Sequence, residues 1–100
     1  MSAASASPLA GQVAWITGGG SGIGLAGAVE LAKAGCRVVI SGRDAAKLEE
    51  AVASAEARGA ARGSIECEPL DVADLAAVAR VAAALEARHG GVDILVNSAG

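Results

Sequence analysis

The sequence has 100 residues, which suits one small domain or part of a larger one, and its 53% hydrophobic content predicts a packed core and excludes a disordered chain. A formal net charge of −3 argues against nucleic acid or an anionic membrane surface as a partner. No apolar run approaches the roughly 18 residues of a membrane-spanning helix, so the default expectation is a soluble, cytoplasmic protein.

Residues 1–8 precede the first predicted element and are rich in serine and alanine. They contain no basic residue and no apolar stretch of the kind found in signal peptides. We therefore expect a flexible N-terminal tail over residues 1–8 and a folded unit over residues 9–100.

Four apolar runs alternate with three helical patterns along the rest of the chain. The first, second and fourth runs are continuously apolar, which is typical of strands in a parallel sheet, whereas the third alternates and fits an edge strand. Asp44 and Asp74 are placed to act as N-caps of the second and third helices. The predicted strands cover residues 12–17, 37–41, 65–70 and 92–97; the first helix covers residues 23–34, and the other two follow Asp44 and Asp74.

The third helix is expected to end near His89 and to carry one apolar stripe, formed by Leu75, Val78, Ala82 and Leu85. His89 is interpreted as an ordinary basic residue at a helix C-terminus, because no partner residue supports a catalytic or metal role. Trp15, the only aromatic residue, is expected in the core.

The two cysteines, Cys36 and Cys67, have neither a metal-ligand spacing nor the number that a disulfide framework needs. We expect small buried thiols on neighbouring strands. A bridge between them is the less favoured alternative, since the expected compartment is reducing.

Strands that alternate with helices in the order β-α-β-α-β-α-β predict a parallel sheet in an α/β fold. Right-handed crossovers place the first two helices on one face, and a return to a position beside strand one places the third helix on the other. The predicted fold is a Rossmann-type doubly wound sheet of strand order 3-2-1-4 in a three-layer α/β/α arrangement. Its crevice lies between strands one and four, where the order reverses.

Strand four lies at an edge of this predicted sheet. Its residues are apolar on both faces, and a single helix covers that side of the sheet. We therefore expect an unpaired edge and open apolar surface beside the third helix, so that the 100-residue chain alone would associate or fold only in part.

The turn after the first strand reads Thr17-Gly18-Gly19-Gly20-Ser21-Gly22-Ile23-Gly24. Glycines let a ligand approach the backbone, and the helix that follows presents free N–H groups to an anion. A strand, a glycine turn and a helix in this order predict a pyrophosphate site, and a turn without a ligand is the less favoured alternative. A P-loop is excluded because no Gly-Lys-Ser/Thr follows the glycines.

Two spacing patterns compete for these glycines. The general dinucleotide pattern G-x-G-x-x-G is met by Gly22, Gly24 and Gly27, but its first glycine should follow the strand directly. The pattern T-G-x-x-x-G-x-G is met by Thr17, Gly18, Gly22 and Gly24, and it begins where the strand ends. We adopt the second pattern and assign Gly27 to close packing of the helix on the sheet.

The stretch TGGGSGIG resembles the cofactor turn of the short-chain dehydrogenase/reductase family, and three further stretches agree with it. Leu70-Asp71-Val72 resembles the family's adenine pocket, and Asn97-Ser98-Ala99-Gly100 looks like the family's Asn-Asn-Ala-Gly. Ser98 departs from the second asparagine, which puts the local hydrogen bonding in doubt. The resemblance implies cofactor contacts from Gly18, Ser21, Gly22, Ile23, Gly24, Arg43, Asp71, Val72, Asn97, Ala99 and Gly100.

The remaining stretch, at the end of the second strand, bears on which cofactor binds. An NAD-specific site has an acidic residue there for the ribose hydroxyls, whereas this sequence has Gly42 followed by Arg43. A guanidinium offers a planar fork of donors that suits a 2′-phosphate. We therefore predict NADP(H), with NAD(H) less favoured; the alternative for Arg43 is a solvated arginine at a strand end.

The family's catalysis depends on a Tyr-x-x-x-Lys pair with a serine before it, yet this sequence contains no tyrosine. We therefore expect residues 9–100 to be the cofactor-binding half-domain of a longer oxidoreductase, truncated before the catalytic half. The resemblance implies hydride transfer between nicotinamide and a small-molecule carbonyl or alcohol, in an enzyme that is a homo-oligomer. The alternative is a non-catalytic NADP(H)-binding module.

Overall fold

The computed structural model describes residues 9–20 and 22–98, so the predicted tail over residues 1–8 lies outside the described residues. Seven elements follow the predicted order: β1 Val13–Thr17, α1 Gly22–Lys33, β2 Arg37–Ser41, α2 Ala45–Ala57, β3 Ile65–Cys67, α3 Leu75–His89 and β4 Ile94–Asn97. Within these ranges, no helix has the length and apolar content needed to cross a bilayer.

The four strands form one parallel sheet in the order β3-β2-β1-β4, which confirms the predicted topology. Thr17, the last residue of β1, pairs in register with Ser41 at the end of β2 and with Asn97 at the end of β4. Three strands therefore end at the same level, and the turns that leave them share one edge of the sheet. The order reverses between β1 and β4, where a crevice was expected.

The sheet is covered on both faces because successive side chains of a strand point to opposite sides. Ala14 and Ile16 of β1 belong to a buried cluster that includes residues of β2, α1 and α2. Trp15 belongs to a second cluster on the α3 side, whose buried members are Trp15, Val39, Leu70 and Leu85. All five residues of β1 are buried, as expected for a central parallel strand.

Both predicted N-caps are present. The Oδ1 atom of Asp44 accepts hydrogen bonds from the N–H groups of Ala46 and Lys47 at 3.0 and 3.2 Å. The Oδ1 atom of Asp74 accepts from the N–H of Ala77 at 3.1 Å. Each carboxylate satisfies backbone donors that the first helical turn leaves free.

Trp15 is a core residue, as predicted. Its side chain is buried, and its indole Nε1–H donates to the Ser41 Oγ atom at 2.9 Å. Ser41 is itself fully buried, so this bond between neighbouring strands satisfies two polar groups that water cannot reach.

The predicted third strand, over residues 65–70, is longer than the observed β3, which ends at Cys67. The Glu68 N–H still donates to the Ile40 carbonyl at 2.9 Å, so the chain continues beside β2. The Leu70 N–H also donates to the Gly42 carbonyl, so Pro69, between these two donors, lacks only an N–H that would face away from β2, which suits proline on an edge strand.

β4 begins at Ile94, later than the predicted start at residue 92. The Asp93 carboxylate accepts the Val13 N–H at 2.8 Å, so a side chain satisfies this group in place of a strand carbonyl. Leu95 is 64% exposed, which agrees with the prediction of open apolar surface at this edge.

The predicted apolar stripe of α3 is only partly right. Leu75 is 78% exposed and Ala82 is exposed. The helix side that packs against the sheet carries Ala77, Val78, Val81 and Leu85. The spacing of apolar residues does not determine how a helix is rotated about its own axis relative to the sheet. Leu75 lies on a side of α3 that no described residue covers.

Neither cysteine is bridged, as expected, but the expectation of two buried thiols on neighbouring strands is only partly right. Cys36 is buried just before β2, and Cys67 is half-buried in β3. Burial raises the pKa of both thiols, with further contributions from Asp93 at Cys36 and from Glu49 at Cys67. Both side chains therefore stay protonated and poorly nucleophilic at neutral pH.

His89 has a partner that the sequence did not indicate. Its Nε2 atom lies 2.7 Å from the Glu66 Oε1 atom, and Arg88 contacts Glu66 and Glu68 at 2.9 and 3.0 Å. These contacts join the end of α3 to β3. No group of three potential metal ligands occurs in the part of the chain that the structure describes.

Candidate functional site

The candidate site is the edge of the sheet at which β1, β2 and β4 end. The N–H groups of Gly18 and Gly19 donate to the Ser41 carbonyl at 2.8 and 3.3 Å, so the turn after β1 leans towards β2. A Cβ on Gly19 would lie 2.6 Å from the Ile40 Cγ2 atom, too close for any side chain. Packing on β2 therefore requires a glycine at position 19, which the spacing pattern had left open.

Gly24 stands in the first turn of α1 and has no room for a side chain. A Cβ there would lie 2.2 Å from the Gly18 carbonyl oxygen and 2.6 Å from the Ser98 Oγ atom. Gly18 and Gly22, in contrast, have φ values of +77° and +60°, a left-handed conformation that favours glycine. Each of the three glycines of T-G-x-x-x-G-x-G is therefore explained by the structure, either by a positive φ or by the lack of space for a side chain.

Gly27 has neither a positive φ nor a close neighbour, so its assignment to close helix–sheet packing was wrong. A Cβ on Gly27 would meet no described atom within 4 Å. The alternative pattern G-x-G-x-x-G relies on this third glycine, so the geometry favours the pattern that begins at Thr17.

The end of β4 is hydrogen-bonded to the start of the glycine turn. The Thr17 hydroxyl donates to the Asn97 Oδ1 atom at 3.0 Å. The Ser98 N–H and hydroxyl both donate to the Thr17 carbonyl, at 3.0 and 2.8 Å, and the hydroxyl lies 3.3 Å from the Gly18 carbonyl oxygen. Ser98 therefore provides local hydrogen bonds in the position where the resemblance expected asparagine.

The segment after β3 reaches the same edge of the sheet. The Leu70 N–H donates to the Gly42 carbonyl at 2.8 Å, which sets Asp71 close to the end of β2. The Asp71 carboxylate accepts the Ala73 N–H at 2.9 Å, so this residue also stabilises the turn before α3. Arg43, directly after Gly42, is exposed.

The N-terminus of α1 faces the glycine turn and suits an anion. Its first N–H groups have no partner within the helix, and its first turn contains no acidic residue. Ile23 is 85% exposed, so no described side chain covers this helix end at that position. The residues present therefore fit a dinucleotide pyrophosphate. Such an anion accepts hydrogen bonds from free N–H groups and is stabilised by the positive end of the helix dipole.

A hollow of about 210 Å³ adjoins the turn on the α3 side of the sheet. Its surface is mostly apolar, and Thr17 and Asn97 are the hydrophilic residues that line it. Its lining consists of Trp15, Thr17, Val72, Leu75, Val78, Leu95 and Asn97. The sequence predicted open apolar surface on this side of the sheet. It did not predict that Val72 and Asn97, both expected to contact the cofactor, would line the same hollow.

The predicted site residues fall into two groups along this edge. Gly18, Gly22, Ile23, Gly24 and Asn97 gather around the turn between β1 and α1. Arg43, Asp71 and Val72 lie at the ends of β2 and β3. Ser21, Ala99 and Gly100 lie outside the described residues.

A sequence model of short chain dehydrogenases matches residues 12–100. The chain belongs to the short chain dehydrogenase family. A curated relative is the 3-oxoacyl-(acyl-carrier-protein) reductase of rhamnolipid biosynthesis from Pseudomonas aeruginosa, 44% identical over 92 residues, with 92% of this chain and 34% of the relative covered.

Solved structures agree with this membership of the short chain dehydrogenases. A short-chain type dehydrogenase/reductase from Mycobacterium ulcerans superposes with a TM-score of 0.83 at 41% identity, covering 92% of this chain and 34% of that one. A metagenomic short-chain oxidoreductase in complex with NADP gives 0.82 at 40% identity, with 92% and 40% covered. The chain spans only 34–40% of the length of these three relatives.

Proposed function

We propose that this chain is the cofactor-binding part of an oxidoreductase that transfers hydride between a nicotinamide cofactor and a small-molecule carbonyl or alcohol. The observation that carries the proposal is the glycine turn between β1 and α1. Its Gly24 lies against the Gly18 carbonyl and Ser98, leaving a backbone-lined surface at a helix N-terminus. Membership of the short chain dehydrogenases supports the same function.

In this proposal the chain binds and orients the cofactor, and the nicotinamide supplies the hydride chemistry when it is bound. Backbone groups of the turn and of α1 hold the pyrophosphate, from Gly18, Ser21, Gly22, Ile23 and Gly24. The adenine lies against Asp71 and Val72. Asn97, Ala99 and Gly100 let the nucleotide pass beside the end of β4.

We propose NADP(H) as the preferred cofactor, with NAD(H) less favoured. Gly42 leaves the end of β2 without the carboxylate that would hold a free 2′-hydroxyl. The exposed guanidinium of Arg43 comes next and can hold a 2′-phosphate through two parallel hydrogen bonds. The metagenomic relative in complex with NADP is consistent with this choice.

The proton-transferring tyrosine of the family has no counterpart in this sequence, which contains no tyrosine. We propose that it lies in a catalytic half following residue 100 of a cytoplasmic homo-oligomer. The free thiols of Cys36 and Cys67 suit a reducing compartment.

The complete protein is titrated with NADP⁺ and NAD⁺, then assayed for NADPH oxidation with a panel of aldehydes and ketones. Tighter NADP⁺ binding and turnover of at least one carbonyl are expected. Binding without turnover of any carbonyl or alcohol would favour the non-catalytic module, and no binding of either dinucleotide would refute the proposed function.

A further inference from the structure

Two glycines from different parts of the chain meet over one side chain at the end of β2. A Cβ on Gly20 would lie 3.7 Å from the Leu48 Cδ2 atom, and a Cβ on Gly42 would lie 3.5 Å from the same atom. Leu48 is 1% exposed, so it forms a buried floor beneath both glycines. The glycine turn and the end of β2 thus converge over the first turns of α2.

Lys47 lies at the rim of this floor. Its Cβ atom is 3.9 Å from the place that a Cβ on Gly20 would take, so the side chain starts directly beside the glycine turn. Lys47 is exposed and forms no ion pair with any described residue. Its flexible stem can carry the ammonium group over Gly20 or towards Arg43.

The position of Lys47 is unfavourable for the helix itself. It is the third residue of α2, where the helix dipole is positive and a cation is repelled. The carboxylate of Asp44, the N-cap of α2, already accepts the N–H groups of Ala46 and Lys47 through Oδ1. A residue whose charge is unfavourable for its own helix, with no structural contact that compensates, is typical of a functional site.

We propose that Lys47 is a second cation that recognises the 2′-phosphate of NADP(H) together with Arg43. The inference rests on the proposed function and assigns cofactor specificity to a further residue of the same site. A phosphate monoester carries nearly two negative charges at neutral pH, which a guanidinium and an ammonium balance even with Asp44 nearby. NAD(H) lacks this phosphate and therefore gains little from Lys47.

The test uses the complete protein with Lys47→Gln, Lys47→Arg and a matched control, Lys33→Gln. Lys33 lies in the last turn of α1, and its side-chain stem is near Gly59. Gly59 follows the C-terminus of α2, whereas Lys47 lies at the N-terminus of that helix. Equilibrium titrations give Kd for NADP⁺ and NAD⁺, and thermal unfolding without cofactor reports on folding.

Lys47→Gln is expected to raise Kd for NADP⁺ about tenfold, as for loss of one charge-assisted contact, with Kd for NAD⁺ unchanged. Lys47→Arg keeps the preference, and Lys33→Gln changes neither constant. Without cofactor, Lys47→Gln unfolds at the same temperature or higher, because an unfavourable charge is gone.

An unchanged Kd for NADP⁺, equal weakening of both dinucleotides, or an equal effect of Lys33→Gln would overturn the role of Lys47 while leaving the proposed function intact. A wild-type protein that binds neither dinucleotide would overturn both.

Discussion

At the scale of single residues, the glycines of the turn are required for two different physical reasons. Gly22 has a positive φ with open space around it, so the strain of its backbone conformation, and not a steric clash, disfavours residues with a side chain. Gly24 has no positive φ but lies too close to the Gly18 carbonyl for any side chain. The two glycines should therefore respond differently to substitution, and a third, Gly27, offers a control in the same helix.

Gly24→Ala is expected to destabilise the complete protein by about 1–3 kcal/mol, the usual cost of overpacking, and to abolish NADP⁺ binding. Gly27→Ala is expected to raise stability by up to about 1 kcal/mol, since its Cβ meets open space and alanine is the better helix former. Denaturant unfolding and NADP⁺ titration measure both effects. Near-normal cofactor affinity in a folded Gly24→Ala variant would mean that the turn has been assigned wrongly.

Arg43→Asp is expected to weaken NADP(H) binding and to improve NAD(H) binding. A carboxylate repels the 2′-phosphate and accepts a hydrogen bond from a free 2′-hydroxyl. Paired titrations of wild type and variant with both cofactors give the change in preference. If the preference is the same in both proteins, Arg43 does not belong to the site.

At the scale of elements, buried and partly buried hydrogen bonds hold the strands that carry the site. The Trp15 indole and the Ser41 hydroxyl join β1 to β2, and the Thr17 and Ser98 contacts join β1 to β4. Both sets lie at or near the carboxyl ends of the strands, so the position of the glycine turn depends on them.

Trp15→Phe is expected to lower the free energy of unfolding by more than the smaller aromatic ring alone would explain. The substitution also leaves the buried Ser41 hydroxyl without its hydrogen-bond partner. Such an unsatisfied group costs about 1–3 kcal/mol. Adding Ser41→Ala should recover part of this loss, so a double-mutant cycle measured by denaturant unfolding should show positive coupling. Strict additivity of the two substitutions would contradict the hydrogen bond.

At the scale of the whole molecule, one side of the sheet is better covered than the other. Helices α1 and α2 pack on one face, while α3 alone covers the opposite face. Val72, Leu75 and Leu95 are exposed beside it, and β4 is the edge strand next to β1. Exposed apolar side chains on an unpaired edge favour association with another chain.

The 100-residue chain expressed alone is therefore expected to associate or fold only in part, to bind NADP⁺ weakly, and to show no dehydrogenase turnover. Size-exclusion chromatography and thermal melting with and without NADP⁺ test this, with the buried Trp15 as a single fluorescence reporter. Leu95→Thr should reduce association, because Leu95 is 64% exposed on the edge strand. A monomer with one sharp melt, raised by NADP⁺, would contradict the expectation.

The sequence by itself determined the element order, the strand order and the position of the glycine turn. These features follow from local signals: apolar runs, the caps at Asp44 and Asp74, and glycines placed directly after a strand. Handedness of the crossovers then leaves few topologies to choose from. The family resemblance of four short stretches added the expected cofactor.

Tertiary structure alone decided which side of α3 faces the sheet, and it paired His89 with Glu66. It also showed that Gly24 is required and Gly27 is not, since the Cβ that Gly24 lacks would collide with the carbonyl of Gly18 and with Ser98. Ser98 and Thr17 are 81 positions apart in sequence. Such contacts depend on how elements pack, and neither spacing nor periodicity along the chain encodes the distance between atoms so far apart.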